Sequence, residues 1–137
     1  MIRVFTDGGA RGNPGPSAIG VYITDEKNKV LYVLGKAIGV GTNNVAEYQA
    51  LIAALAWLVE NKKIIGKHTE VHFFLDSLLL VSQINGLYKV KNTNLQALLF
   101  VVREKEASLA LPLRYVHIPR EKNTKADALV NAALDKQ

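Results

Sequence analysis

The chain contains no cysteine, which excludes disulfide staples, thiolate metal sites and cysteine nucleophiles. Long hydrophobic runs are missing too. The longest strictly apolar stretch, Ala50 to Val59, has ten residues, about half of what a bilayer-spanning helix needs. Arg3 and Asp7 interrupt the short apolar N-terminal stretch, so it does not read as a signal peptide. Histidine is scarce, and His68 and His72 show no ligand spacing. No internal repeat, low-complexity tract or Pro/Gly/Ser-rich linker divides the sequence. These absences leave a soluble protein, expected in the cytoplasm, organised as one domain over residues 1–137 with enough chain to bury a core. No membrane association and no obligate protein partner is expected, and a monomer suffices.

Seventeen Lys plus Arg stand against twelve Asp plus Glu, giving a net charge of +5 and a pI near 9.5. That balance is compatible with a polyanionic partner, although charge alone selects none.

Periodicity divides the chain into alternating elements. Residues 2–7 (IRVFTD) read as a strand ended by Gly8-Gly9, and RGNPGP at 11–16 as a turn. Strands at about 18–24 and 30–38 flank the polar turn 25–29, which makes a hairpin. From Asn44 to about Asn61, Tyr48, Leu51, Ile52, Leu55, Leu58 and Val59 recur at helical spacing. A strand follows at 70–76 and a short helix at 77–84. Then come a helix near 95–108, a strand at 113–118 and a terminal helix from Thr124. Such an order indicates an α/β sheet with helices on its faces.

Connectivity then locates a site. If strand 1 runs up, the hairpin brings strand 3 up, so Glu47 in the first turn of the next helix lies at the top edge. The crossover returns strand 4 upward, which puts Asp7 and Asp76 at the same edge. If strands 2 and 3 lie on one side of strand 1 and strand 4 on the other, a topological switch point opens between strands 1 and 4, where open α/β sheets bind ligands. Two helices precede strand 5, so connectivity alone does not fix its direction or bring Asp127 to that edge.

Each acid also has a purely structural reading. Asp7 precedes a Gly-Gly turn signal, Asp76-Ser77 can cap a helix, and Asn44-x-x-Glu47 and Thr124-x-x-Asp127 fit the capping-box pattern. Their convergence points elsewhere, because clustered carboxylates repel unless a cation neutralises them. All-oxygen donors favour Mg²⁺ or Mn²⁺ over Zn²⁺.

Four segments, FTDGGARGNPGPSAIGVYI, TNNVAEYQALIAAL, FFLDSLLLVSQING and HIPREKNTKADALVNAAL, resemble the successive motifs of ribonuclease H type 1, in its short bacterial and archaeal form. The resemblance runs nearly end to end. It implies a mixed five-stranded sheet in the order 3-2-1-4-5 with strand 2 antiparallel and helices on both faces. It carries the catalytic metal ligands onto Asp7, Glu47, Asp76 and Asp127. The implied activity is hydrolysis of the RNA strand of RNA/DNA hybrids by two Mg²⁺ ions, with Mn²⁺ as a substitute, leaving 5′-phosphate and 3′-hydroxyl ends. The complete acid set argues against a silent hybrid-binding module. Activity on duplex RNA or on DNA stays open.

The resemblance also marks substrate-binding positions. Gly8 and Gly9 would let backbone approach the RNA, and Asn13, Asn43 and Asn44 would lie near its 2′-hydroxyls. Thr42 would contribute to a phosphate pocket for the DNA strand. Members of the family carry a loop histidine before the last acid. Here His117 precedes Asp127 by ten residues, but VHIP places it at the end of strand 5. Its auxiliary role stays open beside Arg120, a candidate phosphate contact in the loop itself. The lysine-rich protrusion of long forms is replaced by GLYKVKN, with only Lys89 and Lys91, and Trp57 reads as packing. Modest, salt-sensitive substrate affinity follows.

Overall fold

The computed structural model describes residues 1–66, 68 and 70–136. Its elements are β1 (Ile2–Ala10), β2 (Gly15–Asp25), β3 (Val30–Gly41), α1 (Asn43–Glu60), α2 (Lys62–Ile65) and β4 (Val71–Leu75), then α3 (Leu78–Ile84), α4 (Thr93–Leu109), β5 (Leu113–His117) and α5 (Thr124–Asp135). A single 3-10 turn, Arg120–Lys122, joins β5 to α5. The sheet order is β3-β2-β1-β4-β5. Strand β2 is antiparallel to β1 and β3, whereas β4 is parallel to β1 and β5 is parallel to β4. Parallel β5 settles what connectivity left open: α5 starts at the same sheet edge as Asp7 and Asp76.

Strand β1 is longer than its sequence suggests. Gly8, Gly9 and Ala10 pair with Ile19, Ala18 and Ser17 instead of turning away. The ladder continues because the 11–16 turn closes directly above it, with Arg11 N–H donating to the Pro16 carbonyl at 2.8 Å. Neither glycine serves a tight turn. Gly8 serves packing: a Cβ there would lie 2.2 Å from the Ala46 carbonyl carbon, so α1 could not approach β1 as closely.

The main core lies between the sheet and α1 with α4. Tyr48, Leu51, Leu55 and Leu58 of α1 pack with Val4, Val21, Ile23, Phe73 and Leu75 of the sheet and Val102 of α4. Each fully buried leucine contributes about 1.5–3 kcal/mol. Ile52 and Val59 are only partly buried and pack against the margin of this cluster, whereas Ala46, Ala50 and Ala54 are fully buried. Trp57 stacks on Tyr32 with centroids 5.1 Å apart, as a packing residue. On the other face, Ala18 of β2 meets Val130, Ala133 and Leu134 of α5. Among the described residues no helix is long and apolar enough to cross a membrane.

Candidate active site

Three helices begin at the upper edge, and their caps explain why acids there are free for other work. Thr42 Oγ1, not Asn44, caps α1 by accepting from Val45 N–H at 3.2 Å. The capping-box reading of Asn44 and Glu47 therefore fails, and the Glu47 carboxylate is not spent on the helix terminus. Ser77 Oγ caps α3 by accepting from Leu80 N–H at 3.1 Å, which releases Asp76. Asn123, not Thr124, is the N-cap of α5, and its side chain makes no capping bond. Asp127 lies in the first turn of α5, where the helix dipole favours a negative charge.

Carboxylate oxygens of Asp7, Glu47 and Asp76 lie within 4.8 Å of one another. Asp127 stands outside this tight group but lines the same open cleft of about 470 Å³, together with Gly8, Gly9, Asn43, Asn44 and Arg120. Gly8 N–H donates to Asp7 Oδ1 at 3.0 Å and to Glu47 Oε1 at 3.4 Å, so one backbone amide orients two acids. Glu47 Oε2 is buried without a partner.

This crowding has an electrostatic consequence. Burial first, then the neighbouring Asp76 charge, pushes Asp7 up to about 7. Glu47 is raised well above the ordinary glutamate value, again by burial first and then by the charges of Asp7 and Asp76. Among the described residues none of the four acids forms an ion pair. A proton or an added cation must offset the charge, and hard oxygen donors with one orphaned buried oxygen fit a divalent cation of the Mg²⁺ or Mn²⁺ type.

The other sequence-derived residues are placed unequally. Asn13 Oδ1 accepts from Asn43 N–H at 2.9 Å, and Asn43 Oδ1 accepts from Ala10 N–H at 2.8 Å. These two asparagines thus stitch the 11–16 turn to the start of α1. Asn44 is exposed beside the acids. His117 is exposed on β5 and does not line the cleft, whereas Arg120 does.

Sequence reasoning missed two asparagines. Fully buried Asn123 donates from Nδ2 to the Thr6 carbonyl and to Asp76 Oδ2, both at 2.9 Å. Asn131 Nδ2 lies 3.1 Å from the Asp127 carbonyl and 3.4 Å from its Oδ2. Naming Thr124 as the cap hid Asn123, although an Asn immediately before a helical Thr was the available signal.

A sheet in this order, with acids from β1, α1 and the end of β4 gathered at one edge and a fourth from α5 on the same cleft, defines the ribonuclease H-like class. A family model described as reverse transcriptase-like matches residues 5–133. The chain is 48% identical to LC11 ribonuclease H1, isolated from compost and solved in complex with an RNA/DNA hybrid; the match covers 99% of this chain and 98% of that one, with a TM-score of 0.92. It is 35% identical to ribonuclease HI of Halobacterium salinarum, covering 98% of this chain and 64% of that protein. It is 43% identical to a bifunctional protein of Mycobacterium tuberculosis, covering 98% of this chain and 35% of that protein. The chain belongs to the ribonuclease H type 1 family. It spans about a third of the length of the first curated relatives it matches.

Proposed function

We propose that this chain is a divalent-metal-dependent endonuclease that hydrolyses the RNA strand of RNA/DNA hybrids, leaving 5′-phosphate and 3′-hydroxyl ends. The observation that carries this reading is the gathering of Asp7, Glu47 and Asp76 within 4.8 Å, in a chain of this family. Asp7, Glu47, Asp76 and Asp127 hold the metal, Mg²⁺ in the first place with two ions per site when substrate is present, and Mn²⁺ as a substitute. When bound, the metal supplies the positive charge that activates water and stabilises the leaving 3′ oxygen.

The chain's own residues set the geometry. Gly8 N–H fixes Asp7 and Glu47 relative to each other, and Asn123 holds Asp76 against β1. Gly8 and Gly9 present backbone to the RNA strand, with Asn13, Asn43 and Asn44 near its 2′-hydroxyls. Thr42 still has its O–H to donate to a DNA-strand phosphate, because its oxygen serves the helix cap as an acceptor. Arg120 contacts a backbone phosphate. All four acids come from one chain, so a monomer suffices.

The test is incubation of purified protein with end-labelled hybrid, duplex RNA and duplex DNA, with and without Mg²⁺ or Mn²⁺. Cleavage confined to the RNA of the hybrid, dependent on metal and lost in Asp7→Asn, is expected. Intact hybrid at every metal concentration would overturn the proposal.

A further inference from the structure

A second cleft, of about 350 Å³, opens on the sheet face that α5 only partly covers. Side chains alternate along a strand, so Arg3, Phe5 and Asp7 of β1 lie on one side, with Arg3 about 13 Å from Asp7 at roughly 3.3 Å per residue. Register places Tyr22 beside Phe5 and Thr24 beside Arg3. Phe5 and Tyr22 meet edge to face at 6.4 Å as part of the lining. Arg3, Lys122 and Lys125 supply the charge around them, and among the described residues no carboxylate lines this cleft.

Arg3 makes one neutral hydrogen bond, from Nη1 to Asn28 Oδ1 at 3.2 Å. Among the described residues none of the three forms an ion pair. Thr24, which also lines the cleft, has a buried hydroxyl without a partner. The 3-10 turn joins the two clefts: Arg120 lines the one with the acids, Lys122 the second.

Aromatic lining, uncompensated positive charge and a volume at the lower end of the range for ligand sites match a nucleotide, whose base is flat and apolar and whose phosphate is anionic. We infer that this cleft binds unpaired nucleotides, specifically a single-stranded extension of the nucleic acid engaged at the carboxylate cleft. The link to that cleft rests on the proposed nuclease function; the single-strand affinity does not. Such a site supplies grip in a chain that carries only Lys89 and Lys91 between α3 and α4.

Two measurements test it. In EDTA, which blocks cleavage, fluorescein-labelled single-stranded oligonucleotide is titrated by anisotropy against wild type and Arg3→Ala/Lys125→Ala, with a free mononucleotide as competitor. The variant should bind about tenfold more weakly, and its plot of log affinity against log salt should flatten by about 1.4 for two lost cations. Competition by millimolar mononucleotide would assign the affinity to single nucleotides, and its absence to the connected strand. With metal present, kcat/KM is compared for blunt hybrids and for hybrids with a 5′ or 3′ single-stranded tail. Wild type should prefer one tailed form, and in the variant the tailed-to-blunt ratio should fall to near one. Equal single-strand binding by both proteins would overturn the inference even if hybrids are cut. Lost single-strand binding in the variant with no hybrid cleavage by wild type would overturn the nuclease reading and leave the cleft standing.

Discussion

Asn123 Nδ2 lies 2.9 Å from Asp76 Oδ2 and, at the same distance, from the Thr6 carbonyl. One buried amide thus joins the start of α5, the middle of β1 and the acid that follows β4. Asn123→Ala leaves the Thr6 carbonyl unpaired in the interior and frees Asp76 to swing. It should cost about 1–3 kcal/mol of stability, read by denaturant unfolding. Calorimetric titration with Mn²⁺ should show weaker binding in the same variant. Unchanged metal affinity would limit Asn123 to a structural role.

The cluster makes metal-free stability fall with pH. Asp7 sits at about 7 in the folded chain against 3.8 ordinarily, so between those values the native state holds more protons than the unfolded state. Stability therefore declines as pH rises through that window. Glu47 acts in the same direction. In EDTA, Asp7→Asn should raise the melting temperature relative to wild type at pH 8 and change it little at pH 4, while abolishing cleavage. Mg²⁺ should stabilise wild type more at pH 8 than at pH 5, because at pH 5 it must displace a proton. Scanning calorimetry at the three pH values checks both, and an Asp7→Asn variant less stable than wild type at pH 8 would contradict the proposed charge crowding.

Gly8 and Gly9 are adjacent in sequence and opposite in consequence. At Gly8 a methyl group would meet rigid α1 backbone at 2.2 Å; at Gly9 it would find nothing closer than Val130 Cγ1 at 3.8 Å. Gly8→Ala should cost about 3 kcal/mol, measured by denaturant unfolding. Gly9→Ala should fold as wild type and yet cut hybrid roughly 10- to 100-fold more slowly, because its methyl group enters the cleft proposed to receive substrate backbone. Full activity in Gly9→Ala would remove that approach from the mechanism.

The legible part of the fold was the part written in periodicity. The α1 stripe of Tyr48, Leu51, Leu55 and Leu58, and the hairpin around residues 25–29, stand as the sequence indicates. Asp7, Glu47 and Asp76 could be gathered by strand parity, since two antiparallel reversals and one crossover separate them. Asp127 could not, because β5 direction depends on α3 and α4 both lying within one crossover, and the family resemblance supplied it. Gly8-Gly9 looked like a turn because glycine permissiveness is local information, whereas the need for a bare backbone against Ala46 is tertiary. Helix α2 and the 3-10 turn are too short to show a period. The role of Asn123 was illegible for another reason: its partners, Thr6 and Asp76, are 117 and 47 residues away.

Arg120 and His117 divide the last open role by position. His117 ends β5, paired in register with Leu75, with its side chain exposed and outside the lining of the acid cleft. A role in passing protons to water held among Asp7, Glu47 and Asp76 is therefore not expected of it. Arg120 opens the following turn and lines that cleft, and among the described residues it forms no ion pair, so its charge is available to a phosphate. Arg120→Ala should lower kcat/KM on hybrid roughly tenfold through KM, as loss of one charge-assisted phosphate contact implies. It should also reduce the salt slope of hybrid binding by about 0.9. His117→Ala should stay within about twofold of wild type across pH 6–9, since its side chain does not line the acid cleft. A pH–rate profile that changes shape in His117→Ala but not in Arg120→Ala would reverse the assignment.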